Sequence, residues 1–204
     1  MKKSDFDTAQ VNELVYQALE TELGGVQVYE TALRCAVNDD LRKEWNSYLD
    51  ETRKHVEVVT RVCEALGLDT TVETPGRKVV RHQGQSLVKA MEMALAEGDA
   101  TAAELVACEC VVLAETKDHS NWELIGHVGN HGKGDAAKVL KSAYEAVEQD
   151  EDHHLFHTQG WCRELWIQSL GFPAVLPPPE EVRKVETAIG ASRAEQARDG
   201  MSKH

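Results

Sequence analysis

The chain has 204 residues, of which 42% are hydrophobic, 28% charged and only 5% aromatic, with a formal net charge of −13. That size and apolar content suit one domain with a sizeable core, and the sparse aromatics and few prolines lean towards helix. So acidic a chain, without a long Lys/Arg run, is a poor match for phosphate backbones or anionic lipid, so no nucleic acid and no membrane are expected as partners.

Met1 to Gln10 is charged and lacks an apolar leader core, and no stretch reaches the length of uncharged apolar residues that spans a bilayer. The cysteines at 35, 63, 108, 110 and 162 are odd in number and scattered among apolar helical residues. A reducing, cytoplasmic setting is therefore expected.

Apolar residues recur at helical spacing through Val11, Val15, Ala18, Val26, Tyr29 and Leu33, which predicts a first helix over about 8–37. Asn38-Asp39-Asp40 supplies a short capping turn, and Leu41, Trp45, Tyr48, Val59, Val62 and Leu66 continue the period to Gly67 in a second, antiparallel helix. Gly67, Pro75, Gly76 and Gly84 then break the pattern, so residues 67–85 read as a long crossover connection. Ser86 is placed to cap a short helix to about Glu97, and a long helix is expected from about Asp99 to Val128. The glycines at 129, 132 and 134 mark the next turn. A last long helix runs from about Asp135 to Leu170 through Leu140, Tyr144, Val147, Leu165 and Ile167. The fold class is thus all-α, a four-helix bundle over residues 1–175 with a long crossover between its second and third helices. A polar tail over 176–204 carries one more expected helix, from Glu180 to about Ala197.

A bundle buries its seam positions, and charged groups there are costly unless paired or coordinated. Glu151 and His154 nevertheless occupy adjacent seam positions of the last helix, Glu22 lies between Ala18 and Val26, Glu115 follows Val112, and His55 falls between Tyr48 and Val59. The first and third long helices each carry Glu-x6-aromatic, Glu22 with Tyr29 and Glu115 with Trp122. One half-motif is therefore repeated, and carboxylates with imidazoles on a dry seam are a donor set for metal ions.

This pattern resembles the ferritin-like superfamily, in which a Glu from each of two helices and Glu-x-x-His from each of the other two hold two metal ions. The Glu22-x6-Tyr29 start is similar to that of bacterioferritin and rubrerythrin relatives, although no C-x-x-C pair exists to form a rubredoxin centre. The resemblance implies that Glu22, Glu115, Glu151, His154 and His55 are ligands to two iron ions or two manganese ions. It departs at the second helix, where Thr52 stands three residues before His55 and the available carboxylate is Glu51, four before. A one-residue π-bulge would turn Glu51 inward as the sixth ligand; the alternative is an asymmetric, mononuclear or absent centre.

The activity implied is reaction with O2 or H2O2, as a peroxide-detoxifying oxidoreductase or a ferroxidase, in a homodimer. The competing reading is a metal-poor helical scaffold or stress protein that acts through self-association. Tyr29 and His119 are the candidate supporting catalytic residues, His119 because it lies one turn after Glu115. Tyr29 and Trp122 also read as core packing, His153 and His157 as rim residues, and Glu104 as a solvated one.

Overall fold

The computed structural model describes residues 6–179. The expected helix over 180–197 lies outside the described residues. Five helices account for the fold: α1 (Thr8–Cys35), α2 (Asp39–Leu66), α3 (Pro75–Glu97), α4 (Ala100–His131) and α5 (Asp135–Ser169). Among the described residues there is no strand, and no helix is long and apolar enough to cross a membrane.

Local chemistry fixes most of the helix ends. Asp7, Asn38, Thr74 and Asp99 each accept backbone N–H bonds from the first turn of the helix that follows. Gly67 ends α2 at φ 70°, a left-handed conformation that a Cβ would strain.

Cross-helix contacts set the directions. Tyr48 meets His157 while His55 meets Asp150, so α2 and α5 run antiparallel. Glu22 meets Trp122 while Tyr29 meets Glu115, so α1 and α4 do as well. With the short α1–α2 and α4–α5 links, these pairings close a four-helix bundle in the order α1, α2, α5, α4. The bundle's apolar core is split in two. One cluster gathers Val28, Tyr29, Leu41, Trp45, Tyr48, Val111 and Trp161, the other Val15, Ala18, Val59, Val62, Trp122, Leu140 and Val147. Along every bundle helix the switch from one cluster to the other brackets the seam Glu and His residues, which form a polar layer in mid-bundle.

The expected break over 67–85 is corrected. Only residues 67–74 separate α2 from α3, which carries the crossover as a helix along α1. Pro75 is not a breaker but the first residue of α3, where its missing N–H is not needed. Gly84 faces α1, where a Cβ would meet the Cα of Gly24 at an ordinary contact distance of 3.7 Å. Ser86 does not cap a helix; its hydroxyl donates to the His82 carbonyl inside α3. Gly129 likewise stays within α4, because α5 crosses so closely that a Cβ there would sit 2.5 Å from the Lys141 nitrogen.

An ionic clasp fastens α3. The Arg77 Nε donates to Glu20 Oε2 at 2.6 Å and the Arg81 Nε to Glu20 Oε1 at 2.6 Å, while Arg81 also forks onto Glu73. Glu20 is buried, and the two guanidiniums hold its carboxylate below the ordinary range against the opposing effect of burial.

Candidate metal centre

Glu22, His55, Glu115, Glu151 and His154 converge in the polar layer, each no more than 3% exposed. They come from all four bundle helices. His55 Nδ1 is 2.9 Å from Glu151 Oε1 and 3.8 Å from Glu22 Oε1, and His154 Nδ1 is 3.7 Å from Glu115 Oε2. Both imidazoles thus turn Nδ1 towards the carboxylates.

The outer nitrogens are held by a second pair of carboxylates. His154 Nε2 lies 2.8 Å from Glu51 Oε2, and His55 Nε2 lies 3.3 Å from Asp150 Oδ2. Carboxylate–histidine pairs of this kind fix the ring orientation and leave the other nitrogen as the donor atom.

Glu51 therefore differs in place from the expected ligand. It reaches His154 from the outside, and its side chain is 26% exposed. The anticipated π-bulge is absent, because α2 is unbroken α-helix. Thr52 occupies the inward position, where its hydroxyl donates to the Tyr48 carbonyl and its methyl packs 3.2 Å from a Cβ built on Gly25.

Asp118, which the sequence reading missed, supplies the missing inward carboxylate. It is 5% exposed, one turn after Glu115, and gathers with Glu22 and Glu151 into a set whose ligand atoms lie within 4.8 Å of one another. A second such set is His55, Glu151 and His154. Glu151 belongs to both, so two neighbouring ion positions would share it. The signal was present in Glu115-x-x-Asp118, which repeats the spacing of Glu151-x-x-His154.

The two conspicuous aromatics serve the opposite helix. Tyr29 donates its hydroxyl to Glu115 Oε1 at 2.7 Å, and the Trp122 indole N–H donates to Glu22 Oε1 at 2.7 Å. Both are packed in the core as well as bonded to the layer. His119 points elsewhere: its Nε2 is 2.7 Å from Asp152 Oδ1 and its ring meets Phe156 edge-on. It belongs to the α4–α5 seam beside the layer. Two expected surface residues are buried. Glu104 accepts from the backbone N–H of Val37 and of Asn38, at 2.6 Å each, and fastens the α1–α2 turn. His157 is 2% exposed and meets the Tyr48 hydroxyl.

Burial and crowding of like charge favour the protonated forms of the layer's groups. Burial raises Glu22 and Asp118 well above the ordinary carboxyl range, and their mutual and neighbouring charges add to it. Burial pushes Glu115 up to about 7. For His55, burial opposes the charged form, yet Asp150 and Glu151 outweigh it and lift the ring to about 10. Glu51 and Asp150 are lowered by their histidines.

Five buried donor atoms in this layer have no hydrogen-bond partner: Glu22 Oε2, His55 Nδ1, Glu115 Oε2, Asp118 Oδ1 and Glu151 Oε2. Buried polar atoms are normally satisfied, and these five face one another, with His55 Nδ1 only 2.9 Å from Glu151 Oε1 but not aligned to it as a hydrogen bond. A cation fits the chemistry. The inner set of Glu22, Glu115, Asp118 and Glu151 with neutral His55 and His154 carries four negative charges, which two divalent ions would balance.

Neither a protein family, nor a curated protein, nor a solved structure matches this chain.

Proposed function

We propose that the chain is a ferritin-like dinuclear metal protein that holds two iron or two manganese ions and reacts with O2 or H2O2, as a peroxide-detoxifying oxidoreductase or a ferroxidase. The observation that carries the reading is the set of five unpartnered ligand atoms from Glu22, His55, Glu115, Asp118 and Glu151, buried together between two apolar clusters. In this reading Glu22, Asp118 and Glu151 would hold one ion, and His55, His154 and Glu151, with Glu115 beside His154, the other.

Bound there, such ions supply redox change and a Lewis-acidic surface for a small oxygen species. The chain's own residues do the rest. Glu51 and Asp150 hold the outer nitrogens of His154 and His55, so that each presents Nδ1 inward. Trp122 and Tyr29 hold one oxygen of Glu22 and of Glu115, leaving the other oxygen turned into the layer. The Tyr29 O–H is the proton nearest Glu115, and burial beside that carboxylate keeps the phenol protonated. Two apolar clusters exclude bulk water from either end.

The test is metal content after anaerobic loading with Fe(II) or Mn(II) and gel filtration, followed by assays of peroxide and O2 consumption. Two ions per chain and turnover are expected, both lost in Glu151→Gln and in His154→Ala. Metal-free protein after loading would return the chain to the scaffold reading.

A further inference from the structure

Outside the polar layer, Glu44 of α2 with His153 and His157 of α5 places three further ligand atoms within 4.8 Å of one another. We infer that Glu44, His153 and His157 form a separate mononuclear site for a divalent first-row transition ion, reached from solvent and partitioned from the buried layer by Tyr48.

Spacing accounts for the convergence. His153 and His157 lie one helical turn apart on α5, with rings stacked at 5.0 Å and 11°. Across the antiparallel interface Glu44 lies one turn before Tyr48 on α2, and its Oε2 is 4.0 Å from His157 Nδ1. Two ligands about 2.1 Å from a common ion stand roughly 3 to 4 Å apart, so this separation suits a shared cation. Its own length leaves no direct hydrogen bond between them.

The chain favours one tautomer of His157. Its Nε2 faces the Pro178 carbonyl at 3.4 Å, and a carbonyl only accepts, so of the two neutral tautomers the one with the proton on Nε2 and the lone pair on Nδ1 suits this contact. That lone pair faces the Tyr48 hydroxyl at 3.0 Å. Glu44 also draws on the same hydroxyl, and His153 Nε2 lies 3.5 Å from it. His157 is buried by nearly all of its surface, so its Nδ1 is a prepared and desolvated donor rather than a loose surface imidazole.

Two imidazoles with one carboxylate favour zinc, iron, cobalt or nickel over magnesium or calcium, which prefer oxygen. Glu44 is 31% exposed on its side chain, which opens the site to solvent. The Tyr48 ring sits 4.4 Å, centroid to centroid, from that of His154, and stands between this site and the buried one. The inference rests on its own residues and holds whether or not the layer is dinuclear.

The test uses the full chain and Co(II), read by metal analysis after gel filtration and by visible absorption of low-symmetry Co(II). Glu44→Gln/His153→Gln is compared with Glu22→Gln/Glu151→Gln; His157→Gln is a second variant, and circular dichroism checks the fold of each. The expected result is that Glu44→Gln/His153→Gln and His157→Gln each lose one cobalt per chain, which Glu22→Gln/Glu151→Gln retains. If all cobalt persists in Glu44→Gln/His153→Gln, or all is lost in Glu22→Gln/Glu151→Gln, the site does not exist. A wild-type chain that binds one cobalt, lost only with Glu44 and His153, upholds this inference and sinks the dinuclear reading. A chain that binds none overturns both.

Discussion

Trp122, on α4, donates its indole N–H to the buried Glu22 of α1 across 2.7 Å, and Tyr29 of α1 returns the arrangement to Glu115 of α4. Each helix therefore supplies a carboxylate to the layer and, two turns on, the hydrogen-bond donor that clamps the other helix's carboxylate. Trp122→Phe keeps the ring in its core cluster and removes only the donor. Loss of a hydrogen bond to a carboxylate should destabilise the protein by about 1.5 to 3 kcal/mol. Metal affinity should fall about 10- to 100-fold, as for other residues that orient ligands. Calorimetric titration with Mn(II) measures this; unchanged affinity would show that Glu22 needs no clamp.

Asp118→Asn should separate stability from binding. Burial and the charges of Glu151 and Glu115 oppose ionisation of Asp118, so the metal-free chain bears an unfavourable group. The amide removes it at nearly constant shape. Metal-free protein should gain about 1 kcal/mol or more, seen as a Tm roughly 2 to 4 °C higher per kcal/mol. Metal stoichiometry should drop. A lower Tm without metal would mean that Asp118 stabilises the fold itself.

Stability without metal should fall as pH rises. Glu22, Asp118, Glu115 and His55 all have folded-state values raised above their ordinary ones, Glu115 to about 7 and His55 to about 10. A raised group contributes stability fully present below its unfolded value and lost as pH climbs through its folded value. Glu51 and Asp150 are lowered and act oppositely, but their contribution is lost only in acid, as pH falls through their folded values. Between about pH 5 and about pH 8 the raised groups decide the slope. Bound cations replace the protons, so the Tm gain with Mn(II) should widen over the same range. Melting curves with and without Mn(II) check both slopes, and a metal-free Tm that rises with pH contradicts the assignment.

Glu104→Ala should weaken the fold and leave the metal centre alone. The carboxylate holds the N–H groups of Val37 and Asn38, and its loss should lower stability by about 1 to 3 kcal/mol. Thermal melting gives the first value and metal analysis the second. A fall in metal content would show that the α1–α2 turn governs the register of the layer.

The long amphipathic helices were legible because their period is written in residues such as Val11, Val15 and Ala18, which need no partner to be read. α3 was not. Pro75, Gly76 and Gly84 look like breakers until α1 is laid alongside, when Gly84 becomes the contact with Gly24. In the polar layer Glu22, Glu115, Glu151, His154 and His55 stood out as charges on apolar seams. Asp118 carried the same signal at the spacing of Glu151 and His154 but was passed over. Asp150 and Glu51 could not be placed from sequence, since only the orientation of the His55 and His154 rings shows which nitrogen faces outward. Glu104 and His157 read as surface because the elements that cover them, the α1–α2 turn and the segment at Pro178, are distant in sequence.

The contacts that close the layer join residues 86 and 100 positions apart, a span whose closure as flexible chain carries an entropic penalty. α3 changes the terms of that closure. As a helix of 23 residues it is a rod about 34 Å long, and the Glu20 clasp lashes it to α1. Its length spans the bundle between the end of α2 and the start of α4, with only residues 67–74 and 98–99 outside helix. A crossover held as a rod leaves fewer flexible positions between α2 and α4 than a loop of the same length, so the segment that adds no side chain to the polar layer limits the loop entropy of closing it.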